Sequence, residues 1–413
     1  MSTQGHGRTP VSAPLQRPTQ AVILAGGRGT RLHPLTETRP KPMVEFHGKP
    51  FLEYLVEMLR EQGFNRVLLL LGYLPEVIQD HFGDGSRWGV EIGYSVSDPD
   101  DLTVRRVQLA AGRLDPCFLL MYCDNYWPMQ MPKMWERFSA ANVPAMVTIY
   151  SNRDGYSQDS VVVGDDGRVR IFDRSRTTPG LSGVEISYAL LQRSVLELLP
   201  EEDALFEEAV YPQLARQGQL LAYVTDHRYY SVGSLERLPL TDAFLARRPA
   251  VIIDRDGVLN KRPERAHYVR TWEDFEWLPG AKEALRLFKQ AGYRTIVVSN
   301  QAGVGRGVMT EVELQQITEQ MSADVAQAGG SLDAVYYCPH DWDDGCECRK
   351  PRPGMLFRAQ RELHLDLTRT PFIGDDERDA QAAEAAGCPS ILVSGQVSLL
   401  DVTRKLLNGH HGG

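Results

Sequence analysis

Two carboxylates one residue apart, Asp254 and Asp256, followed by Gly257, stand at the end of an apolar run, Val251-Ile252-Ile253. Side chains at the carboxyl end of a buried parallel strand are placed where open α/β sheets bind ligands. There Asp254 could attack phosphorus as a nucleophile, and Asp256 could handle a proton and help present a metal. Other polar tips recur after apolar runs. Ser299-Asn300-Gln301 follows Thr295 to Val298, and Gly374-Asp375-Asp376 follows Pro371 to Ile373. Strand ends of one sheet can converge on a single site. A separate constellation, Cys338, His340, Cys346 and Cys348, offers three thiolates and an imidazole, a closed set for Zn²⁺ of structural kind.

The amino-terminal half carries a different chemistry. Gly26, Gly27 and Gly29 form a loop after the apolar run Ala21 to Leu24, and their backbone N–H groups can approach phosphate closely. Arg28 and Arg31 add charge. The loop is neither a Walker A loop nor the dinucleotide spacing G-x-G-x-x-G. Lys41 sits between Pro40 and Pro42, which stiffen the chain so that its ammonium can be held over a phosphate. Asp124 follows the strand-like run Phe118 to Tyr122.

These residues need elements to hold them. A chain of 413 residues is too long for one ordinary core, so two domains are expected. Phe51 to Gln62 has helical apolar spacing closed by Gly63, and Ala281 to Gln290 is amphipathic and closed by Gly292. Strands alternating with helices predict α/β folds with doubly wound parallel sheets. The expected organisation is a disordered tail over 1–19, one domain over 20–246, a second over 247–396, and a carboxyl-terminal tail over 397–413. A net charge of −9 argues against nucleic-acid or membrane-surface partners, so local Arg and Lys must do any phosphate binding. No apolar run approaches the roughly 20 residues of a membrane helix. The first residues lack an apolar signal core, so a cytoplasmic location is expected.

L-A-G-G-R-G-T-R-L-x-P-L-T from Leu24 and R-P-K-P-M from Arg39 together resemble the sugar-1-phosphate nucleotidyltransferase family. The resemblance implies a Rossmann-like domain in which Gly26, Gly27, Arg28, Gly29, Thr30 and Arg31 cradle a nucleoside triphosphate. It also implies that Lys41 contacts phosphate and that Asp124 binds Mg²⁺. The chain departs from the family in three places. Asp98 to Val107 lacks the glycine-rich segment that contacts base or sugar. Ser231 stands where a second metal-binding Asp is usual, and Asp173-Arg174 replaces a frequent Glu-Lys pair. A serine hydroxyl is a much poorer Mg²⁺ ligand than a carboxylate. Glu185 is a further candidate to hydrogen-bond sugar hydroxyls.

D-R-D-G-V, S-N-Q, K-P and G-D-D-x-x-D, in that order, resemble the four motifs of the haloacid dehalogenase-like phosphatase superfamily. By that resemblance Asp254 becomes the aspartyl-phosphate, and Asp256 protonates the leaving oxygen and then activates water. Mg²⁺ is held by Asp254, the Asp256 carbonyl oxygen and Asp375. Ser299, Asn300 and Lys350 bind the transferring phosphoryl group, and Asp376 and Asp379 orient Lys350 or the metal's water shell. Zinc would clamp the loop so that Lys350 and Arg349 enter the phosphate site. The zinc loop and D-R-D-G mark the branch of heptose bisphosphatases and histidinol phosphatases. Q-A-G-V-G-R-G from Gln301 and A-H-Y-V from Ala266 look more like the heptose enzymes. There Arg306 would meet the distal phosphate of a bisphosphorylated sugar by bidentate contact.

The expected architecture is therefore two Rossmann-like α/β domains, an N-terminal nucleotidyltransferase fold and a C-terminal haloacid dehalogenase-like fold with a zinc loop. The expected function is bifunctional. A Mg²⁺-dependent phosphatase removes the C7 phosphate of D-glycero-D-manno-heptose 1,7-bisphosphate, and a nucleotidyltransferase joins the resulting sugar 1-phosphate to a nucleotide. GTP is the first-choice donor by family analogy. In the alternative the phosphatase, acting on heptose bisphosphate or histidinol phosphate, is the working half, and the first domain is a weakened sugar-nucleotide binding or docking module.

Overall fold

The computed structural model describes residues 15–264 and 267–409. Most of the segment expected as an amino-terminal tail, and Ala266 of the A-H-Y-V motif, lie outside the described residues. The chain packs as two compact units. The first runs to Glu45 and takes in Lys49–Asn125 and Met131–Thr225; the second comprises Phe46–Gly48, Tyr126–Gln130 and everything from Asp226.

The first unit is built on seven strands: β1 Gln20–Ala25, β2 Arg66–Leu71, β3 Glu91–Val96, β4 Cys117–Tyr122, β5 Ala145–Tyr150, β6 Val184–Gln192 and β7 Leu220–Thr225. Their spatial order is β7-β5-β6-β4-β1-β2-β3. β1 pairs in parallel with β2 and β4, while β6 is antiparallel to both β4 and β5. β1 is buried at every residue: Ala21 to Ala25 is apolar, as the middle strand of a sheet must be, and Gln20 is satisfied by the Arg113 carbonyl and the Asp115 N–H. The helix α1, Phe51–Glu61, follows the predicted spacing, with Gly63 in a left-handed conformation just beyond it. A second helix, α2, Thr103–Ala110, occupies the segment that lacks glycines.

The second unit holds five parallel strands: β8 Ala250–Ile253, β9 Arg294–Asn300, β10 Ala334–Cys338, β11 Phe372–Gly374 and β12 Ser390–Leu392, in the order β10-β9-β8-β11-β12. Alternation along β8 sends side chains to two cores. Val251 and Ile253 face a cluster with Leu285 and Phe288 of α3, Ala281–Gln290, and with Ile317 of α4, Glu311–Gln327. Ala250 and Ile252 face Leu356 of α5, Gly354–Leu363, and Ala382 of α6, Glu377–Ala386. Helices on both faces make the sheet doubly wound. The stretch expected as a carboxyl-terminal tail is different: it forms a helix, α7, Leu399–Gly409, because Leu399 and Val402 recur at helical spacing and bury against the α3 side of the core. Phe244, in the helix Leu238–Leu245, stacks on Tyr230 at 3.9 Å between ring centroids, and the Tyr230 hydroxyl accepts from Gln360 of α5.

Candidate active sites

In the second unit the ends of β8, β9 and β11 bring the motif residues together. Asp254 leaves β8 and is buried. Lys350, 3% exposed, places Nζ 2.9 Å from Asp254 Oδ1, 2.7 Å from Asp379 Oδ1 and 3.3 Å from the Val298 carbonyl. Burial would lower the Lys350 pKa, but Asp254 and Asp379 outweigh it and hold the ammonium charged. Burial raises the Asp254 carboxyl to about 7, with Lys350 pulling the other way. The backbone of Lys350 is fixed as well. Its N–H donates to Asn300 Oδ1 at 3.0 Å, and Asn300 Nδ2 donates back to its carbonyl at 3.1 Å.

Asp256 is held on three sides. Arg255, fully buried, donates from Nε to Asp256 Oδ1 at 3.0 Å and from Nη2 to Oδ2 at 3.1 Å. Asn260 Nδ2 donates to Oδ1 at 2.9 Å and Gln301 Nε2 to Oδ2 at 2.7 Å. Gln301 also donates to the buried Ser299 hydroxyl at 3.0 Å. Gly257 has φ 95°, and a Cβ there would stand 1.8 Å from Asp375 Oδ2, so only glycine lets β11 deliver Asp375 beside β8.

Oxygens of Asp254, Asp375 and Asp379 lie within 4.8 Å of one another. Asp375 Oδ1 is buried with no hydrogen-bond partner among the described residues, and burial raises its carboxyl to about 6, against the pull of Arg262. An orphaned buried carboxylate oxygen beside a second acid is what a hard divalent cation satisfies, so these residues fit Mg²⁺. Arg262 reaches one of these acids, Asp375, at 3.3 Å and its neighbour Asp376 at 2.8 Å. Asp376 caps α6 through a box with Asp379.

Cys338, His340, Cys346 and Cys348 form the second cluster. Cys338 Sγ lies 3.6 Å from His340 Nδ1 and 3.5 Å from Cys346 Sγ; His340 Nδ1 lies 3.2 Å from Cys348 Sγ. Four ligand atoms at mutual tetrahedral-edge distances suit one ion with no position left open, so the set is compatible with zinc. A cavity of about 760 Å³ opens over Lys350, walled by Arg349, Arg262, Arg378 and Trp342.

In the first unit β1 delivers the glycine loop and β4 delivers Asp124. Lys41, in a short 3₁₀ turn between its prolines, sets Nζ 2.7 Å from Asp124 Oδ2. Burial would raise the Asp124 pKa, but Lys41 more than offsets it and the carboxylate stays ionised. Gly29 has φ 65° and packs against Lys41, since a Cβ there would meet Lys41 Cβ at 3.0 Å. Gly27, Thr30 and Arg31 are exposed. Arg28 is paired with Asp100 at 2.8 Å.

The glycine-free segment brings Arg106 to this loop. Its guanidinium, 3% exposed, donates to the carbonyls of Leu71 at 2.8 Å, Asp101 at 2.9 Å, Asp98 at 3.1 Å and Gly26 at 3.3 Å, and to Ser97 Oγ at 2.7 Å. Cβ atoms on Gly26 or Gly72 would stand 2.1 and 2.3 Å from Arg106 Nη1. The glycines therefore serve the arginine on one face, while the space beside Gly27 stays open. Asp173 is the hub of a turn, accepting from the N–H groups of Thr177 at 3.0 Å and Thr178 at 2.8 Å. Ser231 falls in the second unit, where its Oγ accepts from Gly233 N–H at 3.0 Å. Glu185 accepts from Ser187 N–H at 2.6 Å, and burial raises its carboxyl to about 7.

The nucleotidyl transferase family model matches residues 20–238. The chain belongs to the nucleotidyl transferase family. A HAD-hydrolase-like model matches residues 347–408 behind that domain. The HAD-like half is similar to the D-glycero-beta-D-manno-heptose-1,7-bisphosphate 7-phosphatase of Photorhabdus laumondii, 43% identical over 145 residues, which are 33% of this chain and 76% of the relative. The phosphatase of the same name from Bordetella bronchiseptica is 41% identical over 143 residues, 35% of this chain and 79% of the relative. The solved structure of HddC from Yersinia pseudotuberculosis complexed with GMP-PN is 24% identical, covers 54% of this chain and 97% of that one, and has a TM-score of 0.45.

Three groups that hold these sites are not visible as such in the sequence. Arg255 lies inside D-R-D-G and Asn260 just past it, and the buried pairing of Arg255 follows only from the fold. Arg106 of the nucleotidyl transferase domain has no motif around it; the one signal is a second glycine, Gly72, at the end of β2.

Proposed function

We propose that this protein is a bifunctional enzyme of nucleotide-activated heptose synthesis. Its HAD-like half removes the C7 phosphate of D-glycero-D-manno-heptose 1,7-bisphosphate, and its nucleotidyl transferase half joins the heptose 1-phosphate to a nucleotide, guanylyl by first choice. The observation that carries the phosphatase reading is Lys350 Nζ lodged between Asp254 and Asp379 under a cavity walled by arginines. The relatives of this half act on heptose bisphosphate by name.

Asp254 attacks the phosphorus, forming an acyl phosphate as the P–O bond to the sugar breaks. Asp256, oriented by Arg255, Asn260 and Gln301, gives its proton to the departing sugar oxygen, then takes one from the water that hydrolyses the acyl phosphate. Lys350 offsets the negative charge that would otherwise repel a carboxylate from a phosphoryl group, and Ser299 and Asn300 line the phosphoryl site. Mg²⁺ held by Asp254, the Asp256 carbonyl and Asp375 would supply further charge neutralisation. Arg349 enters the phosphate site beside Lys350, and Arg306 takes the second phosphate. Cys338, His340, Cys346 and Cys348 would hold zinc, which would fix the loop that carries Lys350.

In the other half the sugar phosphate attacks the α-phosphorus in line and diphosphate leaves, so no protein nucleophile is needed. Gly26 to Thr30 position the triphosphate, Arg31 and Lys41 offset charge, and Asp124 would hold Mg²⁺. These roles run within residues 20–246 and 247–396. A reaction that consumes a nucleoside triphosphate suits a cytoplasmic enzyme; no described helix is long and apolar enough to cross a membrane.

The test is a coupled assay on the full chain. Phosphate release from heptose 1,7-bisphosphate, compared with histidinol phosphate, reads the first step for each anomer. Diphosphate release with each NTP and heptose 1-phosphate reads the second. Preference for histidinol phosphate would overturn the substrate assignment. Saturable nucleotide binding without diphosphate release would reduce the first half to a binding module.

A further inference from the structure

The cavity over Lys350 carries more positive charge than one phosphoryl group needs. Arg262, Arg349, Arg352 and Arg378 line it beside Lys350, and the one carboxylate on its wall, Asp376, is already held by Arg262 at 2.8 Å and Arg378 at 2.8 Å. Arg349 Nη1 is buried there with no hydrogen-bond partner among the described residues. At about 760 Å³ the cavity also has room for a whole phosphorylated sugar.

Trp342 forms one wall of this cavity although 42% of it is exposed. One face of its indole is covered by the Arg306 guanidinium, 4.5 Å from the ring centroid. Among the described residues no carboxylate pairs with Arg306. The two side chains come from different loops that are locked together. Gly305 N–H donates to the Pro339 carbonyl at 2.7 Å, and a Cβ on Gly305 would meet Asp341 N at 2.6 Å. The arginine's main chain therefore rests on the same loop that presents the tryptophan. A guanidinium stacked on an indole keeps its in-plane donors free for a bidentate anion contact.

We propose that Trp342 is a positioning residue for substrate selection: it stacks Arg306 and aims its guanidinium at the second phosphate of a sugar bisphosphate, the one that is not cleaved. The inference rests on the sugar-bisphosphate reading of this half. Trp342 touches neither the nucleophile nor the transferred group, so it acts on binding and not on the chemical step.

The test compares two substrates that share a sugar, heptose 1,7-bisphosphate and heptose 7-phosphate, on the full-length enzyme with Trp342→Leu, Trp342→Phe, Arg306→Leu and the Trp342→Leu/Arg306→Leu pair. Losing a cation–π contact of this kind is expected to raise KM for the bisphosphate about three- to thirtyfold. Expected alongside are kcat within about twofold, an unchanged KM for the 7-phosphate, recovery in Trp342→Phe, and a double variant no worse than Arg306→Leu alone. An equal rise in KM for both substrates would mean that the indole stacks on the sugar itself, and would overturn the proposal. So would additive effects in the double variant, or a Trp342→Leu enzyme that selects as the wild type does. A wild-type enzyme with one KM for both substrates would instead overturn the bisphosphate reading, and the inference with it.

Discussion

The ammonium of Lys350 lies 2.9 Å from the Asp254 carboxylate, both side chains almost wholly removed from solvent. Such a pair is costly to bury and is retained only where its neighbours complete it, as Asp379 does at 2.7 Å. The Lys350 charge pulls against the burial that raises the Asp254 carboxyl. Asp254→Asn keeps the shape and removes the nucleophile. Phosphate release should fall by about a thousandfold or more, while diphosphate release by the other half stays within about twofold of wild type. A variant that retained a tenth of its phosphatase turnover would rule out attack by Asp254.

Arg106 and Gly26 make a second linked pair. Gly26→Ala drives a methyl group into a buried guanidinium, and Arg106→Ala takes its donor from the Asp101 carbonyl, while those of Leu71 and Asp98 keep the N–H groups of Ser97 and Asp101. One orphaned acceptor costs about 1–3 kcal/mol. Both substitutions should lower nucleotidyl transfer and the thermal midpoint of the first unit, with phosphatase turnover intact. Unchanged diphosphate release in Arg106→Ala would show that the loop holds its shape without it.

Much of the second site can be read from residue order alone. Asp254, Ser299 and Asp375 follow apolar runs, and a strand end in a parallel sheet has few places to point. Lys350 is announced by its neighbours, Cys348 and Pro351. Residues that act by support leave no such trace. Arg255 is one more charged residue in an acidic motif until the fold buries it against Asp256, and Arg106 sits in a helix whose sequence gives no sign that its guanidinium crosses to the glycine loop. The helix α7 is hidden for another reason: its short apolar face, Leu399 and Val402, gains meaning only beside α3.

Glu185 supplies a pH signature. Burial raises its carboxyl from 4.5 to about 7, so the folded protein holds the proton more tightly than the unfolded chain. The stability this confers is complete below about pH 4.5 and is lost as the pH rises through about 7. Glu185→Gln cannot ionise and loses nothing. Relative to wild type it should gain stability with pH, reaching on the order of 1–3 kcal/mol above pH 8. Urea midpoints of both proteins at pH 5 and pH 8 measure the difference; a gap that shrinks toward pH 8 would contradict the sign.

The loop with Cys338, His340, Cys346 and Cys348 is compatible with zinc and lies two residues of chain from Lys350. Lys350 follows Cys348 at that distance, and its main chain is pinned to Asn300 from the other side. With an ion on all four ligands the loop is anchored at both ends. Without it, the main chain of Lys350 keeps its Asn300 pairing while the aspartate-rich stretch Asp341 to Gly345 loses its anchor. Chelation should therefore remove phosphatase turnover in step with zinc, one ion per chain, and leave nucleotidyl transfer within about twofold of wild type. Cys346→Ser should behave alike. Elemental analysis beside both assays decides the matter: full phosphatase turnover in protein stripped of zinc would mean that the Asn300 pairing positions Lys350 unaided.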